Sequence, residues 1–370
     1  MIFFLIICTL IIVAYCLLLL FQYSGFKEEV ISSDSAADVF VTVIIPVRNE
    51  EKYITALLDA LALQEYPSSL LEVLVVNDHS DDATTALVTA YIKGNKLKQL
   101  QILHLEKTTG KKQAITHGVN HAKGELIITT DADCTMGSKW CLTIAQVYQE
   151  IKPSMIVAPV SISGEEGIIN DWQQLEYIAM QVCGGGSLKK GKPLLCSGAN
   201  IAFSKVAFQE LNGYEGNENI ASGDDTFLML KMYEKYGAPY ALINDKANVV
   251  SAPLMNTAGI VNQRIRWGEK IRYYNSNYIK LTGLVVLLCN IVFVLSLPAL
   301  FAGWFLPFLV VVPLKLLVDY LILKKGIHYF HFDRKSSLMP SLLLYPVLFL
   351  FITLSSFKGK YEWKGRTYNQ

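Results

Sequence analysis

The chain has 370 residues, enough for about two domains. Hydrophobic side chains make up 52% and charged ones only 18%, which is too apolar for an ordinary soluble enzyme. The formal net charge of +1 gives no electrostatic case for nucleic acid, and seven cysteines without C-x-x-C spacing indicate neither a disulfide framework nor a zinc site.

Met1–Phe21 carries no charged side chain and is long enough to span a bilayer. It lacks a basic leading region, so it reads as a retained anchor rather than a cleaved signal. Residues 22–38 read as a polar linker. Phe40–Val47 (FVTVIIPV) is a strand pattern, followed by Arg48-Asn49-Glu50-Glu51 and by leucines at helical spacing; Asn49 is the expected N-cap. Leu71–Val76 is the next strand, ending in Asn77-Asp78-His79-Ser80-Asp81-Asp82, and Ala83–Lys93 the next helix. Gln101–Leu105, Lys111–Ala122 and Gly124–Thr130 continue the alternation as strand, helix and strand. This order implies right-handed crossovers and a parallel sheet.

Gly124–Asp133 (GELIITTDAD) is the stretch on which the rest depends. A short apolar strand ends in Asp131 and Asp133, at the end of a parallel sheet where ligands bind. Two acids one residue apart form an oxygen-only site suited to Mg²⁺ or Mn²⁺, held together with substrate phosphates. The expected ligand is therefore a nucleotide diphosphate. With Pro46 and Glu50 after the first strand and Asp78 after the second, three strand ends could line one crevice. Each of these residues alone is equally an ordinary turn or cap residue. Lys111 opens a helix and could face a phosphate.

Beyond Asp133 the pattern is mixed. Trp140–Ile151 reads as a helix, Met155–Val160 as a strand, Ile168–Val182 as a helix and Cys183–Lys192 as a mobile loop. Ser197–Ser204 (SGANIAFS) and Ala247–Ser251 read as strands, Gly223–Tyr236 and Thr257–Tyr273 as helices. Asp224-Asp225 at a helix start is either a cap or a carboxylate base facing an acceptor hydroxyl. Gln263-x-x-Arg266-Trp267 is either an interfacial helix or a place where Arg266 meets a pyrophosphate and Trp267 a sugar ring. Apolar runs return at Leu281–Phe301, Phe305–Leu323 and Leu338–Leu354, the first two reading as a transmembrane hairpin. Lys315 and Asp319 are four apart and can pair inside the membrane.

Taken together, IIPVRNEE, VVNDHSDDAT, GKKQAITHGVNHAKGELIITTDAD, SGANIAF, ASGDDTF and QRIRW resemble the family-2 glycosyltransferases of the GT-A fold, in the family's order, over roughly Val41–Trp267. The resemblance implies an α/β GT-A domain over residues 39–275, with a mostly parallel sheet. An N-terminal anchor (1–21), the linker (22–38), a C-terminal membrane region of two to three helices (281–357) and a basic tail (358–370) complete the chain. It implies a nucleotide-sugar donor, Mg²⁺ or Mn²⁺ as cofactor, a lipid or glycan acceptor, and no nucleic acid partner. Asp78 would lie near a uracil-type base, Asp131 near ribose or phosphate, and Asp133 on the metal. Asp225 would be the catalytic base, with Ser197, Gly198 and Asp224 on the acceptor side and Gln263, Arg266 and Trp267 at the donor–acceptor junction. Asp224-Asp225 replaces the usual Glu-Asp, and Asn77-Asp78-His79-Ser80 the usual D-D-G-S.

Two competing readings follow from the same residues. Asp131-Ala132-Asp133-Cys134-Thr135 also fits the D-x-D-x-T of haloacid-dehalogenase-like phosphatases, but there the first acid sits on an early strand and the late acids end one. A processive polysaccharide synthase shares Q-x-x-R-W, but four candidate spans are few for a polymer channel. Basic segments at Arg264–Lys280 and Lys324–Lys335 flank the hairpin. The positive-inside rule then puts the catalytic domain in the cytosol and the N-terminus outside, in a multi-pass protein expected in a bacterial inner membrane. The basic tail also prefers the cytosol, which would make Leu338–Leu354 re-entrant or interfacial.

Overall fold

The computed structural model describes residues 2–31, 36–164, 167–216, 223–254, 256–303, 305–333, 337–356, 360–363 and 366–369. Residues 32–35 of the linker, Ala221-Ser222, Trp304 and Lys364-Gly365 lie outside them. The chain divides into two compact units, and elements are numbered along the chain. One unit takes in residues 27–163 and 195–252, the other residues 1–26, 164–194 and 253–370.

In the first unit the run expected from sequence is present: β1 (Val41–Val47), α2 (Ile54–Ala62), β2 (Leu71–Asn77), α3 (Thr84–Lys93), β3 (Leu100–His104), α4 (Lys111–His121) and β4 (Leu126–Thr129). Then come β5 (Cys134–Met136), α5 (Trp140–Ile151), β6 (Met155–Val157), β7 (Val160–Ile162), β8 (Ile201–Ser204), α7 (Lys205–Glu210), α8 (Asp224–Tyr236), β9 (Tyr240–Ala241) and β10 (Val249–Ser251). Seven strands form one sheet in the order β3-β2-β1-β4-β8-β6-β9. It is parallel except for β8, which runs antiparallel to β4 and β6. The strand order reverses beside β1, since β2 lies on one side of it and β4 on the other. Crevices open at such a reversal, beyond the C-terminal strand ends. The β-branched runs of β1 and β4 are buried because helices cover the sheet; Ile44, Val76, Ile115, Ile127, Phe203 and Leu228 belong to one core.

The second unit holds α1 (Ile2–Gly25), α6 (Ile168–Lys189), α9 (Thr257–Glu269), α10 (Asn277–Phe301), α11 (Phe305–Tyr329), α12 (Leu338–Ser356) and the hairpin β11 (Lys360–Trp363) and β12 (Arg366–Asn369). Among the described residues, α1, α10, α11 and α12 are long and apolar enough to cross a membrane. Lys315 and Asp319 pair at 2.5 Å, as their spacing suggested, and the Tyr15 hydroxyl donates to Asp319 at 2.6 Å. Lys315 is fully buried, so its charge is met inside the helix cluster.

Three expectations are corrected. Cys183–Lys192 is not a loop: α6 continues to Lys189. Its glycines serve close packing, because a Cβ on Gly186 would lie 1.9 Å from the Gln22 carbonyl oxygen of α1. Small residues let helix backbones approach in this way. Met155–Val160 is not one strand. The chain breaks at Ala158-Pro159, so β6 joins the large sheet while β7 pairs with β10 in a second sheet, ordered β5-β10-β7. Asn49 does not cap α2, which starts five residues later at Ile54. Its backbone is left-handed (φ 54°), and its side-chain oxygen accepts from the Asp81 N–H at 3.0 Å.

Candidate active site

The loop after β1 and the loop after β2 are laced together. The Asn49 N–H donates to Ser80 Oγ, Glu50 N–H to Thr84 Oγ1 and Glu51 N–H to Asp82 Oδ2, at 2.8–3.0 Å. In return the Ala83 N–H donates to Glu51 Oε2 at 2.9 Å, and Arg48 Nη1 to the Asp78 carbonyl at 3.0 Å. The Glu51 and Asp82 carboxylates are therefore structural here, and Asp81 joins the lacing through its backbone N–H. Asp82 accepts from both the N–H and the hydroxyl of Thr84, the first residue of α3. Pro46 sits at the end of β1, in register with Val76.

Asp78 follows β2 and is 4% exposed. Its Oδ2 accepts from the Gly110 N–H at 2.8 Å, and its Oδ1 lies 3.1 Å from His79 Nδ1. Gly110 precedes α4 with φ 102°, a backbone that favours glycine. This interaction fixes where α4 begins, and hence where Lys111 stands.

Lys111 reaches Asp131 beyond β4, with Nζ 2.6 Å from Oδ1, and lies 3.9 Å from Oδ2 of Asp224 at the start of α8. Enclosure pulls its ammonium toward the neutral form. The charges of Asp131 and Asp224, the hydrogen bond to Asp131 and the charge of Asp225 outweigh that and hold its pKa above the ordinary lysine value. Gly198 stands at the remaining corner: its N–H donates to Asp225 Oδ2 at 3.0 Å, and a Cβ there would lie 3.0 Å from Lys111 Nζ and 3.5 Å from Asp225 Cβ. Asp225 Oδ1 also accepts from the Thr226 N–H at 2.7 Å. Burial, and then the charge of Asp225, pushes the Cys196 thiol well up. Burial followed by Asp224 and Asp225 does the same to the Tyr214 phenol, so both neighbours stay neutral.

Asp133 is placed by the second sheet. Its carbonyl accepts from the Ala252 N–H beyond β10 at 2.9 Å, and its Oδ1 lies 3.6 Å from Cys134 Sγ. Asp131 and Asp133 therefore stand between the two sheets' strand ends, half-exposed, while Ala132 between them is buried. The structure thus gathers Lys111, Asp131, Gly198, Asp224 and Asp225, with Asp78 tied in through Gly110. The phosphatase reading fails on this topology: Asp131 follows the fourth strand of its sheet, and Asp224 opens a helix. Lys112 turns inward, with Nζ 5.4 Å from the Phe227 ring centre.

Gln263, Arg266 and Trp267 belong to the other unit, on α9. Arg264, which the sequence reading did not place in the site, is buried there. Its Nε and Nη2 lie 2.8 and 2.7 Å from Glu176 Oε2 on α6. Its guanidinium lies 4.7 Å from the Trp267 ring centre and 5.8 Å from that of Trp172, and it also donates to the Gln263 side chain. Nothing in the spacing of Trp172 and Glu176 announced this partnership.

Asn200 is the other omission. It is fully buried; Nδ2 donates to the carbonyls of Pro159 (2.6 Å) and Ala247 (2.8 Å), and Oδ1 accepts from Trp140 Nε1 (3.0 Å). It anchors the turn that presents Gly198. Its membership of S-G-A-N was the available signal.

Residues 42–211 match the family model described as glycosyl transferase family 2. Over those residues the chain matches the family-2 glycosyltransferases, its fold is GT-A, and apolar helices lie toward both ends. A dolichyl-phosphate beta-glucosyltransferase of Trichomonas vaginalis is 38% identical over 105 residues, covering 27% of this chain and 31% of that one. An undecaprenyl-phosphate 4-deoxy-4-formamido-L-arabinose transferase of Yersinia pestis is 37% identical over 94 residues, covering 25% and 28%. The match thus spans less than a third of the length of either relative. A mannosyltransferase of Pyrobaculum calidifontis, solved with GDP-Man and Mn²⁺, has the same fold at 18% identity, with a TM-score of 0.56 over 95% of this chain and 96% of that one.

Asn200→Ala is expected to strand two carbonyls and one indole N–H. Each such group costs about 1–3 kcal/mol, so a loss of roughly 3 kcal/mol, or about 6–12 °C in melting temperature, is expected. A melting curve within 1–2 °C of wild type, about 0.5 kcal/mol, would show that this hub does not hold the Gly198 turn.

Proposed function

We propose that the chain moves a sugar from a nucleoside-diphosphate donor, a UDP-hexose, to an acceptor carried on a membrane lipid, by direct attack that inverts the anomeric carbon. The carrying observation is the Lys111–Asp131 pair with Asp224 3.9 Å from the same ammonium, at the C-terminal edge of a mostly parallel sheet. It supplies cation and carboxylates together at the place where such sheets bind nucleotides.

The roles follow the resemblance. Pro46, Glu50 and Asp78 border the nucleoside part of the crevice. Asp133, with Asp131, offers only oxygen ligands, which fits Mg²⁺ or Mn²⁺ held jointly with a diphosphate. Among the described residues no group of three or more His, Cys, Asp or Glu side chains converges as a metal site. Donor phosphates and water would complete the shell. Such an ion supplies positive charge to the diphosphate as it leaves. Lys111 adds a second cation on the same side. Asp225, oriented by the Gly198 N–H, takes the proton of the acceptor hydroxyl, with Ser197, Gly198 and Asp224 beside it. Gln263, Arg266 and Trp267 keep the donor-side role that Q-x-x-R-W implies.

Two relatives are named for polyprenyl-phosphate acceptors, and α10 begins soon after α9 ends at Glu269. Both support a lipid acceptor and a single transfer. Basic flanks around α10 and α11 support a cytosolic position for the nucleotide-binding unit and an outer N-terminus.

Asp225→Asn is expected to leave calorimetric binding of UDP with Mn²⁺ intact while turnover falls by about 10²–10⁴-fold. Asp133→Asn should weaken both. Near-normal turnover in Asp225→Asn would remove the base assignment. It would favour a phosphate-headed acceptor, whose oxygen is already largely ionised at neutral pH.

Product size separates single transfer from polymerisation. Purified protein supplied with UDP-sugars and membrane lipid should add one sugar per acceptor, and a ladder of long oligosaccharides would overturn this.

For orientation, a Lys364→Cys variant should resist a membrane-impermeant thiol reagent applied from outside. Strong labelling would instead make α12 a full span with the tail outside.

A further inference from the structure

Lys111 is more than a phosphate ligand in waiting. Its ammonium already serves as the cation of the site. It lies 2.6 Å from Asp131 and 3.9 Å from Asp224, and Asp225 contributes further charge to the same group. Asp131 is one of the two acids offered to a divalent ion. An ion that takes Asp131, even at the Oδ2 that the ammonium does not hold, or that is held by Asp133 alone, would face a like charge close by unless the Lys111–Asp131 pair separates. The separation needs an anion to receive the lysine. The donor's diphosphate is that anion, and Lys111 opens α4, whose N-terminal end favours phosphate. Movement is sterically possible because the lysine stem is long and flexible. Gly198 also leaves open the corner where a Cβ would stand 3.0 Å from Nζ.

We propose that Lys111 imposes an order of binding: it excludes the divalent ion from the empty site, and the nucleotide diphosphate admits the ion by drawing the ammonium off Asp131. This rests on the nucleotide-sugar reading above and deepens it. The ammonium and the ion exchange places on Asp131, and the diphosphate charge is shared between them. Lysine here acts as a positioning residue for the metal, not as a reacting group.

The test follows Mn²⁺ directly, by loss of the free-ion signal in electron paramagnetic resonance, on the full chain in detergent. Wild type should bind Mn²⁺ at least tenfold more tightly with UDP than without, and should bind UDP measurably in EDTA. Lys111→Met and Lys111→Gln should bind Mn²⁺ alone at least tenfold more tightly than wild type and lose UDP binding in EDTA. Lys111→Arg should behave as wild type, and Asp133→Asn in the Lys111→Met background should abolish the gain. The order is overturned if the neutral variants keep the wild-type affinity for Mn²⁺ alone, or if wild type holds Mn²⁺ equally well without UDP. The second criterion needs no variant, so it decides the matter even if both neutral variants unfold. Failure of wild type to bind UDP with Mn²⁺ at all would instead remove the underlying donor-site reading.

Discussion

One ammonium among three carboxylates organises the unit built on the seven-stranded sheet. Lys111 comes from the start of α4, Asp131 from the end of β4, and Asp224 and Asp225 from the start of α8. The start of α8 lies far from α4 and β4 in the chain, and like-charged acids cannot be gathered without a counter-charge. Other features of the site place these partners or residues beside them. The Asp78–Gly110 hydrogen bond sets the start of α4, the second sheet sets Asp133, and the Asn200 hub sets the turn bearing Gly198.

The acids around this site divide by their partners. Glu51, Asp81 and Asp82 lie in the loops that close the β1 and β2 ends, where Glu51 and Asp82 accept backbone N–H groups. They satisfy donors that a loop would otherwise leave to water. Asp131 and Asp224 meet a side-chain cation instead, and Asp225 feels the same charge while accepting the Gly198 and Thr226 N–H groups, so charge here can be redistributed when a ligand brings its own. The same residue type thus supplies both a rigid frame and a responsive centre.

The unit that holds the long apolar helices uses different means. Helices α1 and α6 meet backbone to backbone at Gly25 and Gly186, where any side chain would force them apart. Arg264 sits between Trp172 and Trp267 and is ion-paired to Glu176. A buried guanidinium needs such a carboxylate, since an unpaired charge would be costly. The pair also tethers two residues of the Q-x-x-R-W helix to α6.

Much of this was legible in order of appearance. Alternating apolar runs and helical periods reveal three β-α units and the fourth strand, because a parallel sheet buries its strands on both faces and each crossover helix repeats its own period. Gly124–Asp133 and the four apolar stretches were legible for the same local reasons. What only the tertiary structure decided is which polar residues meet. Turn chemistry looks alike for a cap and a ligand, so Asn49 read as a helix cap when it braces a neighbouring loop. Gly184–Gly186 read as a loop because glycine lacks helix propensity, yet close packing against α1 keeps it helical. The reach of Lys111 to Asp224 and the grip of Asn200 on Pro159 and Ala247 join residues distant in sequence. No local pattern encodes such pairs, because their partners are chosen by the sheet's strand order and not by spacing along the chain.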